Sequence, residues 1–277
     1  MNVWKMASID CWIDNMRLIY DRATKTNRSP PGVDIRVPGW GDPGVLEYLD
    51  EWHFVPYFKP LVSFLENDLG YVRNVSLRAA PYDFRRGPSE QGVFFSKFQE
   101  LIEETYHKNG RKSVVLITHS MGCLLTLIFL QWQSQEWKNK YIKSFVPLNG
   151  PWAGTVKSLA VFAGCNRIDE RFAISTDFLK PHLIIASSLA FLLPSPWLWN
   201  PSNVLVTTSK WNYTVNHMGH FLTDIGLSIA WEFYKNSEPF KYDFRPPGVE
   251  VHCLYGEQLD TVERYKRWHY INYNEIA

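Results

Sequence analysis

The chain has 277 residues, enough for one large domain or two small ones. Residues of the AVILMFWYC set make up 45%, so a sizeable core can be buried, while 29 basic against 28 acidic residues leave a formal charge of +1. That balance gives no electrostatic footprint for nucleic acid, and no block of like charge marks a disordered tail.

The aromatic share is 16%, with 12 Trp. It reads as a large aromatic core, with some rings available to face a lipid interface. The cysteines, Cys11, Cys123, Cys165 and Cys253, form no C-x-x-C pair, which argues against a zinc or thioredoxin-like site. Asn27, Asn74 and Asn212 open N-x-[S/T] sequons. Pro30 follows the first closely and weakens it, leaving Asn74 and Asn212 as the glycosylation candidates. No apolar run follows the first charge at the N-terminus, so it does not read as a signal peptide. The most apolar stretch, Leu183 to Leu193, is too short to span a membrane, which takes about 20 residues.

In chain order, residues 10–22 carry Trp12, Met16, Leu18 and Ile19 at a helical spacing. A polar loop follows, and Val33 to Val37 alternates like a strand before Pro38-Gly39. Residues 56–69 read as a helix stopped by Gly70, and Val75 to Leu77 as a short strand. Residues 92–108 have helical periodicity and stop at Asn109-Gly110. Ser113 to Thr118 (SVVLIT) suits a buried parallel strand, 121–132 (MGCLLTLIFLQW) a buried helix, and 142–148 (IKSFVPL) a second strand. The alternation over 92–150 implies a parallel sheet with crossover helices.

Residues 151–220 mix apolar runs with prolines and no steady period, the pattern of an inserted lid or cap. Asp224–Tyr234 reads as a helix and Val249–Tyr255 as a strand. One domain over 1–277, with 151–220 inserted, is the expected organisation.

The strand SVVLIT and the helix MGCLLTLIFL meet at Thr118-His119-Ser120-Met121-Gly122. That is the nucleophile elbow G-x-S-x-G with Thr118 at the first glycine. The elbow strains a serine on a tight strand-to-helix turn so that its hydroxyl stands above the sheet. The positions two before and two after the serine are expected to approach each other closely, a need that Gly122 meets better than Thr118. Ser120 is the expected nucleophile. The Met121 N–H, at a helix N-terminus, is the expected donor to a developing oxyanion.

Further pieces accompany the elbow: Cys11-Trp12-Ile13-Asp14-Asn15, Pro31-Gly32-Val33-Asp34 running into Arg36-Val37-Pro38-Gly39-Trp40-Gly41, and Ala80-Pro81-Tyr82-Asp83-Phe84-Arg85. Pro151-Trp152-Ala153-Gly154, Asn212-Tyr213-Thr214, and Pro247-Gly248-Val249 through His252-Cys253-Leu254-Tyr255-Gly256 complete the series. With the elbow, these resemble the lecithin-cholesterol acyltransferase and lysosomal phospholipase A2 family over almost the whole chain.

The resemblance implies an α/β-hydrolase core with a membrane-binding subdomain and a mobile lid, matched by roughly 153–175. It implies transfer or hydrolysis of a phospholipid acyl chain through an acyl-serine intermediate. It further implies a phospholipid or other lipid-ester substrate, a membrane or lipoprotein surface as partner, and a secreted or lysosomal setting. No cofactor or metal is implied. Trp152 either lines the acyl channel or is a core residue beside a strand end. Asp83 and Arg85 read as a buried structural pair.

The family's triad acid and histidine follow the HCLYG-like strand after further turns, and RWHYINYNEIA at the end of this chain contains no such turn. The family's first strand and second oxyanion loop precede the CWIDN-like segment, so the core is expected to be an incomplete α/β-hydrolase, truncated at both ends. The cysteine that pairs with the Cys11 position in the family is also missing, so Cys11 is expected to be unpaired. His217, His220, His252 and His269, with Asp224, Asp260 and Glu263, are the remaining groups downstream of the serine. None occupies the family's catalytic positions. Activity of the chain is therefore open, and a non-catalytic relative that binds lipid or a partner is the alternative.

Overall fold

The computed structural model describes residues 9–50, 52–163, 186–241 and 244–266, without the side chains of Ile9, Asp10, Trp12 and Ile13. Helix α1 (Ile9–Met16) is followed by the antiparallel pair β1 (Ile19–Asp21) and β2 (Thr26–Arg28). The helix expected to run to residue 22 thus ends at Met16. Beyond it the chain inserts Leu18 into the interior at 3% exposure and turns into a strand. Residues 33–37 form no strand: the Val33 N–H turns back to the Pro30 carbonyl at 3.0 Å, and no strand pairs with the segment among the described residues. Val75–Leu77 is likewise a turn: the N–H groups of all three residues bond the Val72 carbonyl, and Asn74 sits at φ 63°.

Helix α2 (Lys59–Asn67) leads to α3 (Gly92–Lys108), which buries Phe95, Phe98, Leu101, Ile102 and Thr105 on one face. Strand β3 (Val114–His119), helix α4 (Met121–Trp132), helix α5 (Gln135–Tyr141) and strand β4 (Ile142–Leu148) follow. The sequence reading has no counterpart for α5. Its apolar residues are few, but Ser134 caps it by accepting from the Trp137 N–H at 3.1 Å. Strands β3 and β4 pair in parallel from Val114↔Ile142 to His119↔Leu148, as the crossover argument requires. The apolar helix α4 covers this sheet, packing Leu125, Ile128 and Phe129 with Leu116, Phe145 and the aromatic face of α3.

After the sheet come α6 (Val156–Phe162), α7 (Ser187–Phe191), β5 (Val204–Thr207), β6 (Asn212–Thr214), α8 (Met218–Asp224) and α9 (Ser228–Lys241). The helix expected over 224–234 is divided between α8 and α9 at Gly226, whose φ of 79° no helix accommodates. These elements build a second apolar core around Leu159, Phe162, Leu205, Tyr213, Phe221 and Phe233. The described part of 151–220 therefore shares one interior with α8 and α9, while 164–185, with Cys165, lies outside the described residues. Strand β7 (Glu250–Val251) extends the parallel sheet to the order β3-β4-β7, and an isolated bridge continues it from Leu148 to Leu254. Strand β8 (Tyr265–Lys266) pairs in parallel with β5.

A buried polar cluster ties the two cores to the N-terminal segment. Arg85 forks onto Asp83 at 2.8 and 2.7 Å and donates to the Met16 carbonyl at 2.7 Å. The Asp83 and Arg85 side chains thus form the structural pair expected of them. Glu90 accepts from the Asn27 N–H at 3.0 Å and from the Ser187 hydroxyl at 3.1 Å. Burial raises the Glu90 carboxyl above its ordinary range despite those donors. Asn27 is 4% exposed, so its sequon is occupied by this network, whereas Asn74 and Asn212 are on the surface.

Candidate active site

The β3–α4 junction is built as an elbow. Ser120 has φ 53° and ψ −130°, a backbone conformation that side chains with a Cβ rarely adopt. Its N–H donates to the Leu148 carbonyl at 3.1 Å, fixing the turn to the end of β4, and its carbonyl accepts from the Cys123 N–H at 2.9 Å. The hydroxyl makes no capping bond to α4 although it occupies the cap position, so it is not consumed by the helix it opens. The Met121 N–H lies in the first turn of α4, where no intrahelical acceptor exists. These are the two groups that acyl chemistry needs at a nucleophile: a free hydroxyl and an N–H beside it.

The crowding expected between positions 118 and 122 is absent. A Cβ placed on Gly122 would meet only the Tyr82 ring, at an ordinary 3.7 Å. That room explains how Thr118 can stand where the motif has glycine. The glycine that the site cannot replace is Gly150, to which the sequence reading assigns no role. A Cβ there would stand 2.8 Å from the Trp152 indole and 3.0 Å from the Cys123 Cβ. Gly150 lets the indole lie against the start of α4. Trp152 is half-buried and borders a small cavity of about 20 Å³ with Leu124, Phe191, Leu193 and Lys241.

Among the described residues, no histidine or carboxylate hydrogen-bonds the Ser120 hydroxyl. His217 instead closes a capping box with Thr214 and faces His220. Asp224 accepts from the Tyr213 hydroxyl at 2.7 Å. His252 is on the surface, with Nε2 3.3 Å from Glu250. Asp260 and Glu263 are exposed, and His269 lies outside the described residues. Cys11 is free and exposed. No cluster of His, Cys, Asp and Glu among the described residues could hold a metal ion.

The residue beside Ser120 has a partner that sequence spacing could not indicate. The Tyr57 hydroxyl and His119 Nδ1 are hydrogen-bonded although 62 positions separate them. Burial lowers the His119 ring below its ordinary value, so the imidazole is favoured in its neutral form, and burial raises the Tyr57 hydroxyl. Both side chains border an open cleft of about 440 Å³ at the carboxyl ends of β3 and β4, together with Phe58, Asn149, Leu254 and Tyr255. Parallel α/β sheets bind their ligands outside this edge.

The comparison with known families decides the classification. A family model described as Lecithin:cholesterol acyltransferase matches residues 1–245. The chain belongs to the lecithin:cholesterol acyltransferase family. It is similar to the lysosomal phospholipase A and acyltransferase of Canis lupus familiaris, at 42% identity over 93% of this chain and 63% of the relative. The protein of that description from Homo sapiens is 42% identical over 93% of this chain and 62% of its own length. The phosphatidylcholine-sterol acyltransferase of Gallus gallus is 38% identical over 96% of this chain and 63% of the relative. The chain thus spans somewhat less than two thirds of the length of these family members. The resemblance drawn from the elbow and its companion pieces is the family that the comparison gives.

Proposed function

We propose that Ser120 is the nucleophile of a lipid acyl-ester site, acting as a phospholipase A-type hydrolase or O-acyltransferase through an acyl-serine. The observation that carries this reading is the strained backbone of Ser120, at φ 53° and ψ −130°, with its hydroxyl left uncapped. Strain of this kind persists where a reacting side chain must be presented. The names of the relatives, phospholipase A and acyltransferase among them, support the substrate class.

In the proposed reaction Ser120 Oγ attacks the acyl carbonyl carbon and passes its proton to a base. The carbonyl oxygen takes the negative charge, and the Met121 N–H donates to it. Collapse breaks the ester bond, and the leaving alcohol takes the proton back from the base. Water or a second alcohol then attacks the acyl-serine by the reverse steps. The three-stranded parallel sheet is read as part of an α/β-hydrolase core, and 151–220 as its lid or cap with Trp152 at the base of an acyl path. A phospholipid at a membrane or lipoprotein surface is the proposed substrate, in a lysosomal or secreted setting, with Asn74 and Asn212 as glycosylation sites.

The base is the part without a residue. No described histidine reaches Ser120, and a serine without a base is a weak nucleophile. That observation favours a second reading, a relative that binds lipid without turning it over. The two separate in a vesicle assay with phosphatidylcholine carrying a fluorescent acyl chain. Release or transfer of that chain, lost in Ser120→Ala, supports the nucleophile. Vesicle binding with no Ser120-dependent release overturns it in favour of the binding protein.

A further inference from the structure

The formal charge of +1 conceals an uneven distribution. Residues 107–112 read HKNGRK, a run in which His107, Lys108, Arg111 and Lys112 are basic. Such short basic runs are the sequence mark of a polyanion surface. The run forms the turn from α3 into β3, at the amino end of the parallel sheet.

The fold brings two further lysines to this turn. The Ser113 hydroxyl donates to the Lys140 carbonyl at 3.2 Å, which ties the turn to the end of α5. The rings of His107 and Tyr141 are 6.4 Å apart, and Lys140 Nζ stands 4.7 Å from the Tyr141 ring centre. Between the pairs Val114↔Ile142 and Val115↔Ser144 the ladder passes over one residue of β4, and that residue is Lys143. An extra residue in a ladder bends the strand and re-aims a side chain. Arg111 is held at φ 62° by its N–H bond to the Tyr106 carbonyl at 2.9 Å. A residue with a Cβ adopts that backbone at a cost.

The charges of this end are only partly answered. Glu104 pairs with Lys108 and with Arg78, and Glu103 accepts from the Trp137 indole N–H at 2.7 Å. Arg111, Lys112 and Lys143 are exposed and make no ion pair among the described residues. The aromatic rings of the patch are withdrawn: Tyr141 is buried and Tyr106 half-buried. No large apolar side chain is exposed over residues 103–114 or 134–146. A protein partner would need an apolar centre here, a bilayer would need side chains to insert, and unstacked bases would need open rings. A linear chain of fixed anions needs only the cations.

We propose that the amino end of the sheet is an attachment surface for a sulfated polysaccharide, whose sulfate groups pair with Arg111, Lys112 and Lys143, flanked by Lys108 and Lys140. The six residues of β3 hold this surface about 20 Å from Ser120, so a bound glycan leaves the elbow open. The inference is independent of the acyl-ester reading.

The test is calorimetric titration of the native chain with a heparin-derived dodecasaccharide between about 50 and 300 mM NaCl. Binding is expected, with log K falling against log salt at a slope of about −2 to −4, as five cations on a flexible polyanion give. The triple variant Arg111→Asn, Lys112→Ser, Lys143→Ser should keep the native melting temperature, because all three side chains are exposed and Asn tolerates the turn. It should bind roughly tenfold or more weakly, with a slope smaller by about two. A second triple variant, Lys25→Asn, Arg28→Ser, Arg36→Ser, removes the same charge from the N-terminal segment and should bind as the native chain does. Ser120→Ala should also bind unchanged. Hyaluronan of equal length, which has carboxylates and no sulfates, should bind roughly tenfold or more weakly than the heparin fragment.

No binding of the dodecasaccharide, or equal losses in the two triple variants, would overturn the proposal. So would tighter binding of phosphatidylglycerol vesicles or of a single-stranded oligonucleotide at equal anion concentration, each of which would assign the patch to another class of partner.

Discussion

Replacing Ser120 by glycine should make the protein more stable than replacing it by alanine. The native serine sits at φ 53° and ψ −130°, where a residue with a Cβ pays about 1–3 kcal/mol. Alanine retains that Cβ and hence the strain. It also loses no capping bond, because the hydroxyl makes none. Glycine removes the strain but loosens the unfolded chain, a cost of about 0.4–1 kcal/mol. The difference leaves Ser120→Gly about 1 kcal/mol more stable than Ser120→Ala, or about 2–4 °C in melting temperature for a chain of this size. Urea unfolding of both variants, with equal slopes, measures it directly. A glycine variant no more stable than the alanine variant would show that the elbow stores no strain, and the structural argument for a presented nucleophile would go with it.

Three other outcomes follow from the packing. Gly154→Ala would place a Cβ 2.3 Å from the Leu193 carbonyl at a φ of 76°, and should cost about 2–4 kcal/mol in urea unfolding. For Asp83, burial raises the carboxyl but the Arg85 hydrogen bonds outweigh it and hold the pKa low. Its contribution is therefore complete above the unfolded value of about 3.9 and is lost as pH falls through the lower folded value. Asp83→Asn should cost about 3–5 kcal/mol at neutral pH, and the gap to the native chain should close in strong acid. Lys241 is buried, donates to the Ala190 carbonyl at 3.1 Å, and stands 3.8 Å above the Tyr234 ring. Burial holds its amine well below the usual lysine range, although Glu238 opposes this. The unfolded chain then binds the extra proton, so stability rises with pH up to the unfolded value of about 10.4. Lys241→Met should flatten that rise and gain about 1–3 kcal/mol at neutral pH, read from melting temperatures across pH.

What could be read from the sequence is what local patterns control. The expected spans 92–108, 121–132 and 142–148 coincide with α3, α4 and β4. Each has strong periodicity or a β-branched run, and a breaker such as Asn109-Gly110 or Asn149-Gly150 at its end. The elbow was legible for the same reason, since strand, serine and helix are contiguous. Residues 33–37 have an alternating pattern but no partner, and a strand is a property of the pair. Helix α5 was missed because its sequence is polar, although Ser134 marks its start. The Tyr57–His119 bond and the Glu90 cluster with Ser187 depend on residues brought together by the fold. No local signal announces either.

The measurement closest to the central claim is intact-mass analysis of the folded chain after incubation with a serine-directed fluorophosphonate. The account predicts a single adduct, mapped to Ser120 by peptide sequencing and absent from Ser120→Ala. It should form slowly, because no described base assists it. An adduct on another residue, or none in protein shown to be folded, would contradict the assignment of Ser120 as the nucleophile.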